Sequence, residues 1–325
     1  MDVLGIDVAK ATLVVVLLVG ERQQRAEFAN TSAGHTKLLR WLAKRGAAPV
    51  HACLEATGTD GDDLAQALYD AGHTVSVVNP ARIAAYAKVQ AARHKTDQAD
   101  AALIARYCQR EQPAAWTPPP PELRELRALV RHLDTLQQQR QAEQNRLGAG
   151  GHPSVVTQAI QAHLTFLSEQ IATVEQQIAA HFDQHSDLKR QRELLDSIKG
   201  IAVRTATRLL AELGDWKQFT NARAVVAYAG LNPRQYRSGS SVQRRTRLSK
   251  SGNAAVRAAL YFPAIVAKQH NPLVQALCAR LTARGLCPKA VIGAAMRKLL
   301  QIAYGVLKSG QPCDPNYAQA VTAQG

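Results

Sequence analysis

Three strand-sized apolar runs follow one another at the start of this chain before any helical period appears, and that ordering constrains the fold more than any other feature. The run Val3-Leu4-Gly5-Ile6-Asp7-Val8 carries a single acid, Leu13–Val19 forms a second strand, and Ala26–Ala29 supplies a third. Helix and strand then alternate. Thr31 or Ser32 caps a helix over 34–45, with Leu38, Leu39 and Leu42 at helical spacing. His51–Glu55 reads as the fourth strand, and a helix over 60–71 stops at Gly72. Thr74–Val78 is the fifth strand, closed by Asn79-Pro80; one helix starts near Ala81, and another covers Thr96–Arg110 with Thr96 as N-cap.

The order βββαβαβα is that of an RNase H-type α/β domain, and four carboxylates fall where such a domain does its chemistry. Asp7 interrupts an apolar strand, Glu55 ends another, and Asp97 and Asp100 are three apart on one helix face. An unpaired buried carboxylate is costly, so Asp7 needs a partner. A hard cation between the acids relieves their repulsion, and Mg²⁺ takes oxygen ligands of this kind. Each acid alone has a plainer reading as a turn or capping residue, and Asp97 also favours its helix dipole. Asp60, Asp62 and Asp63 compete for the role, but their place at a helix start suits caps.

Pro118–Pro121 breaks the chain. Beyond it, Leu126, Leu129, Leu133, Leu136 and Leu147 keep heptad spacing, with Arg140 and Glu143 at intervening core positions. After the turn 148–153 comes a second stripe, Val156, Ile160, Leu164, Leu167, Ile171, Val174, Ile178 and Phe182. A helical hairpin or coiled coil follows, as a spacer or as a dimerisation arm. The expected domains are 1–117, 118–190 and a mostly helical 191–325. Ile198-Lys199-Gly200-Ile201-Ala202-Val203 is similar to a helix-hairpin-helix turn, but Ala202 replaces the usual second glycine, and a packing turn explains it as well.

Charge singles out the C-terminal third. Between Trp216 and Cys313 there is no Asp or Glu, while sixteen of the forty Lys and Arg lie there. The remainder holds twenty-four basic residues against twenty-five acids, so the net charge of +15 sits in one region. A nucleic acid backbone is the natural partner of such a surface. Aromatics make up only 5%, which argues against a base-stacking single-strand surface. The five cysteines form no CxxC pair and read as reduced cytosolic thiols. No stretch looks long and apolar enough to span a membrane, and no secretory signal is evident.

Inside the basic region lies a loop-like stretch from Asn232 to Asn253. Arg234, Arg237, Arg244, Arg245, Arg247 and Lys250 surround Ser238, Ser240 and Ser241, a composition that suits a phosphate cradle. A serine hydroxyl attacks phosphorus only when a base or metal activates it. No histidine is near in sequence, so the acids would have to supply the metal. Tyr236 is a rival nucleophile, and a flexible loop that only binds backbone phosphates is the plainer alternative.

Together these stretches resemble the insertion sequence 110 family of DEDD transposases over nearly the whole chain. The carriers are Gly5–Lys10, Leu54–Gly58, Val78-Asn79-Pro80, Lys95-Thr96-Asp97-Gln98-Ala99-Asp100-Ala101, Ala229–Pro233 and Arg237-Ser238-Gly239-Ser240-Ser241. The resemblance implies a RuvC-like domain in which Asp7, Glu55, Asp97 and Asp100 bind Mg²⁺, or Mn²⁺ in its place, with Ser238 as catalytic serine. It implies a covalent serine–DNA linkage, donor and target DNA as substrates, and a structured noncoding bridge RNA as guide. Dimers that assemble into tetramers are implied too, in a cytoplasmic, nucleoid-associated setting without membrane attachment. Two other expectations remain: a RuvC-like nuclease acting by water attack, and a non-catalytic nucleic-acid-binding protein.

Overall fold

The computed structural model describes residues 1–314 except 21, 48, 57–59, 91–95 and 239–241; at 235–238 and 242–245 it describes the backbone only. The chain divides into two units, Met1–Pro118 and Pro119–Gly325.

Unit 1 is built on a five-stranded sheet. Strands β1 (Asp2–Val8), β2 (Thr12–Val19) and β3 (Arg22–Ala29) form an antiparallel meander. Helix α1 (Ser32–Ala43) leads to β4 (Val50–Glu55), α2 (Asp62–Asp70) to β5 (Thr74–Val78), and α3 (Pro80–Val89) and α4 (Asp97–Glu111) follow. The sheet order is β3-β2-β1-β4-β5, with β4 parallel to both β1 and β5. This is the RNase H-like order. Strand alternation divides the core into two layers. Leu4, Ile6, Leu13, Val15, Leu17, Ala52 and Leu54 face α1 and α2, whose Leu38, Leu42, Leu64 and Leu68 complete that layer. Val3, Val14, Val16 and Cys53 face the other way, toward Ile83 and Tyr86 of α3 and Ala101–Ala105 of α4. Strand β3 begins at Arg22, four residues earlier than Ala26, because Arg22–Arg25 is a polar sheet edge with no apolar pattern to read.

Unit 2 opens with two long helices, α5 (Pro121–Ala149) and α6 (Ser154–Gln184). They run antiparallel: His181 lies against Glu122 and Glu125, and His163 against Glu143. Burial concentrates at the inner end, on Leu126, Val130, Ile171, Val174, Ile178 and Phe182. Arg140, Glu143 and Leu147, toward the tip, are only half-buried. Then come α7 (Ser186–Asp196), α8 (Val203–Leu213), a short 3-10 turn (Trp216–Gln218), α9 (Ala222–Tyr228), a hairpin of β6 (Pro233–Ser238) and β7 (Val242–Leu248), and α10 (Ala254–His270), α11 (Pro272–Ala283) and α12 (Pro288–Ser309). Contrary to expectation, α12 is long and apolar enough to cross a membrane by composition. Its apolar residues serve the core instead: Val291, Ala295, Leu299, Leu300 and Ala303 are buried among the other helices of unit 2.

The stretch expected as a loop around Ser238 is therefore two paired strands. Ser238 stands opposite Val242, Tyr236 opposite Arg244, and Arg234 opposite Arg247, with a register shift between Arg234 and Tyr236.

Candidate functional site

Asp7 and Glu55 occupy matching ends of neighbouring strands. Ile6 pairs with Leu54 in the parallel register, so the next position on each strand is an acid. Alternation puts Asp7 on the same face as Val3 and Gly5, and Glu55 on the face of Cys53, both turned toward α4. Gly5 lets α4 come this close. A Cβ there would lie 2.3 Å from both the Ala101 carbonyl oxygen and the Ala105 nitrogen. Backbone against backbone at this point fixes the helix over the strand and sets its first turn above Asp7. That turn is held by Thr96, whose hydroxyl accepts from the Ala99 amide at 3.2 Å, and it carries Asp97 and Asp100. The other expected cap is likewise formed, with Thr31, and not Ser32, accepting from Gly34.

The electrostatics show that these acids share one neighbourhood. Asp7 is pushed above the ordinary carboxylate range by burial, then by the negative charges of Asp100 and Asp97. Glu55 is raised by burial, then by Asp7 and Asp100. Among the described residues no Lys, Arg or His forms an ion pair with any of the four. Asp7, Glu55 and Asp100 are half-buried and Asp97 is exposed; like charges gathered with no counter-charge among the described residues are the donor set a hard divalent cation fits. The described residues hold no ready-made cage of three ligands. Mg²⁺ does not require one, since it binds through one or two carboxylates and keeps water and phosphate oxygens in its other positions. Thr57, Gly58 and Lys95, which belong to the recognised motifs, lie outside the described residues. Of the competing acids, Asp62 and Asp63 fall in the first turn of α2 instead of capping it, the N-cap being Gly61.

In unit 2 the hairpin gathers the second set of residues. Arg234, Arg247 and Lys250 are exposed. Arg234 and Arg247 face each other across the ladder, where like charges repel unless an anion lies between them. The backbone places Ser238 at the end of β6, with Arg237, Arg244 and Arg245 on the same two strands. The side chains of these four, and Ser240 and Ser241 entirely, lie outside the described residues. Arg257, beyond this stretch on α10, is turned inward onto three backbone carbonyls. The Ile198–Val203 turn is a packing element: Ile198 and Ile201 are buried, and a Cβ on Gly200 would lie 2.7 Å from that of Ala267 on α10.

Reading the sequence missed Gly5 as the seat of α4. It also missed Glu212, Tyr228 and Asn253, which converge beneath the hairpin. The signal was available for Asn253, which follows Gly252 and precedes a helix, an N-cap position. For Glu212 no local pattern exists.

Comparison with known proteins agrees across both units. The DEDD IS110 family, described as a transposase, matches residues 4–149, and the Transposase IS116/IS110/IS902 family matches residues 192–279. A pilin gene-inverting protein of Moraxella bovis is 33% identical over 314 residues, covering 96% of this chain and 97% of the relative. Its counterpart in Moraxella lacunata is 32% identical over the same span. An IS110 insertion element protein of Streptomyces coelicolor is 28% identical over 160 residues, 49% of this chain and 38% of that protein.

Proposed function

The chain belongs to the IS110 family of transposases, and from that premise we propose that it cuts and rejoins the DNA of an insertion sequence, using the acids of unit 1 and Ser238 of unit 2. Membership alone makes it a DNA-rearranging enzyme of the transposase and recombinase class. The observation that carries the finer reading is the placement of Asp7 and Glu55 at neighbouring strand ends, on the sheet face covered by the helix that carries Asp97 and Asp100, with no basic partner among the described residues. Such a cluster is unfavourable when empty and becomes favourable when a cation fills it.

On this reading Asp7 and Glu55 at the strand ends, with Asp97 and Asp100 on α4, hold Mg²⁺ or Mn²⁺. A divalent ion there would neutralise phosphoryl oxygens and make a bound hydroxyl a better nucleophile. The Ser238 hydroxyl attacks phosphorus; its Oγ–P bond replaces one P–O bond of the strand, and the departing oxygen takes up a proton. Because one phosphodiester replaces another, the linkage stores the energy needed for rejoining by the hydroxyl of a second strand. Arg234, Arg237, Arg244, Arg245, Arg247 and Lys250, with Ser240 and Ser241, bind the flanking phosphates. The family resemblance adds donor and target DNA, a bridge RNA as guide, and dimers and tetramers. The division read from the sequence, into a catalytic domain (1–117), an arm (118–190) and a serine-bearing domain (191–325), is part of the same proposal. The exposed Val155 and Phe166 on α6 support the arm as a contact between copies. The name of the Moraxella relatives favours a second product of the same chemistry, inversion of a DNA segment.

The test is a covalent protein–DNA adduct, trapped on a nicked substrate. Ser238→Ala is expected to abolish it and Tyr236→Phe to retain it; the reverse result overturns the nucleophile. Cleavage without any adduct in the unsubstituted protein would favour water attack. Strand exchange surviving in Asp97→Asn/Asp100→Asn would remove the metal site.

A further inference from the structure

Two chain segments flank the hairpin, 228–232 entering β6 and 249–253 leaving β7. They are laced together by backbone pairs: Ser249 N donates to Asn232 O at 2.8 Å, Lys250 N to Gly230 O at 3.0 Å, and Asn253 N to Tyr228 O at 2.7 Å. The approach is as close as the backbone allows. Gly252 has φ +146°, and a Cβ on it would lie 2.2 Å from the Tyr228 oxygen. Arg257 Nη1 donates to the carbonyls of Ala229, Gly252 and Asn253 at 2.9, 3.0 and 3.3 Å, gathering both segments in one hand.

Beneath this lacing sits Glu212, on the last turn of α8, a carboxylate in a residue only 4% exposed. Arg131 of α5 donates to both of its oxygens, at 2.9 and 3.2 Å. Asn253 Nδ2 donates to Oε2 at 3.1 Å, and the Tyr228 hydroxyl donates to the Glu212 carbonyl at 3.1 Å. Asn253 in turn caps α10, its Oδ1 accepting from the amides of Ala255 and Val256. Burial alone would raise Glu212; the hydrogen bonds from Arg131 and Asn253, together with the positive charges of Arg131 and Arg127, outweigh it and hold the carboxyl below its ordinary value.

A buried ion pair is a weak source of net stability, since an apolar replacement often does as well. What a fully satisfied polar network supplies is direction, one arrangement in place of many. Here each partner on the hairpin side, Tyr228 and Asn253, belongs to one of the two flanking segments. A two-stranded hairpin is marginal by itself and takes its position from what holds its ends. We propose that Glu212 and Asn253 are positioning residues that fix the β6–β7 hairpin, and with it Ser238, in unit 2, and that Arg131 carries the position of α5 into that clasp. The inference rests on Ser238 as nucleophile.

The test uses the full-length protein and two readouts. Hydrogen exchange at the Ser249 and Lys250 amides reports the clasp directly, without reference to chemistry. The rate of adduct formation at saturating DNA reports its consequence. Glu212→Gln and Asn253→Ala are expected to speed exchange at both amides by about tenfold or more and to slow the adduct step by a similar factor, as loss of a buried hydrogen bond does. DNA affinity should stay within about twofold, because the phosphate-binding side chains are untouched. Tyr228→Phe, which removes one hydroxyl, should shift both readouts the same way by less, and it carries the test if either larger change prevents folding. Ser238→Ala should leave exchange unchanged and abolish the adduct. Unchanged exchange in the folded variants overturns the clasp. Faster exchange with an unchanged adduct rate overturns its positioning role. An adduct that persists in Ser238→Ala overturns the nucleophile and with it the claim that the clasp serves that residue, while the exchange data still decide whether the clasp exists.

Discussion

Glu212 in unit 2 and the pair Asp7 and Glu55 in unit 1 are all at least partly withdrawn from water, and their surroundings are opposites. Glu212 is the more buried, yet it meets a bidentate guanidinium and an amide donor, and its pKa falls. Asp7 and Glu55 are less buried, yet what they meet is each other and Asp100, and their pKa values rise. Folding gains by ionising the first and loses by ionising the second. A carboxylate whose electrostatics the protein has completed holds the structure together; one whose electrostatics it leaves incomplete is reserved for something that arrives later. The comparison separates position from chemistry: one region sets where the chain goes, the other where a cation and phosphate go.

Substitution should break the comparison most sharply. Asp100→Asn removes a charge that raises both Asp7 and Glu55, so metal-free unit 1 should become more stable while strand exchange falls by about a thousandfold or more, as loss of a metal-held transition state implies. Glu212→Gln should do the reverse to the fold, destabilising unit 2 by about 2 kcal/mol because buried donors lose their acceptor. Denaturant unfolding followed separately in each unit by hydrogen exchange checks both. An Asp100→Asn protein that is inactive and also less stable would mean that the cluster is structural.

Acid should sharpen the same contrast with a smaller effect. Asp7 and Glu55 have raised folded-state pKa values, so the folded unit binds protons more tightly than the unfolded chain. Its stability therefore rises as pH falls through those raised values toward the ordinary 3.8 and 4.5. Glu212 is depressed, so its contribution is complete above its ordinary 4.5 and is lost as pH falls through the lower folded value. As pH falls from neutrality toward 4.5, metal-free unit 1 should gain and unit 2 stay level; below 4.5, unit 2 should decline. Saturating Mg²⁺ should cancel the gain in unit 1, since the ion takes the place of the protons. Parallel pH profiles in the two units would remove the distinction.

What was legible in the sequence followed from local pattern. The apolar runs Val3–Val8 and Leu13–Val19 specified strands with two buried faces, and the caps Thr31 and Thr96 announced their helices. The cluster of acids could be read because each stands at the end of such an element. Strand β3 was cut short because a polar edge carries no period. The Ser238 stretch was read as a loop because its arginines and serines have weak strand character; what makes it a hairpin lies outside it, in Gly252, Arg257, Tyr228 and Glu212. Contacts forty residues apart, such as that of Glu212 with Asn253, leave no trace in a local window.

The smallest expected effect concerns charge on the hairpin, and it asks whether the positive strands are a third kind of unfinished electrostatics. Arg234 and Arg247 stand opposite each other and exposed, an arrangement that phosphate would relieve as a cation relieves the acids. If each contacts one backbone phosphate, Arg247→Ala should weaken DNA binding about equally for every sequence and lower the slope of log K against log salt by about 0.9. Glu212→Gln, which leaves every arginine in place, should keep the full slope even where it slows the adduct step. A fluorescence-anisotropy titration across salt concentrations measures both. An unchanged slope in Arg247→Ala would place the phosphate contacts elsewhere on the acid-free region, and a reduced slope in Glu212→Gln would show that the clasp governs binding as well as position.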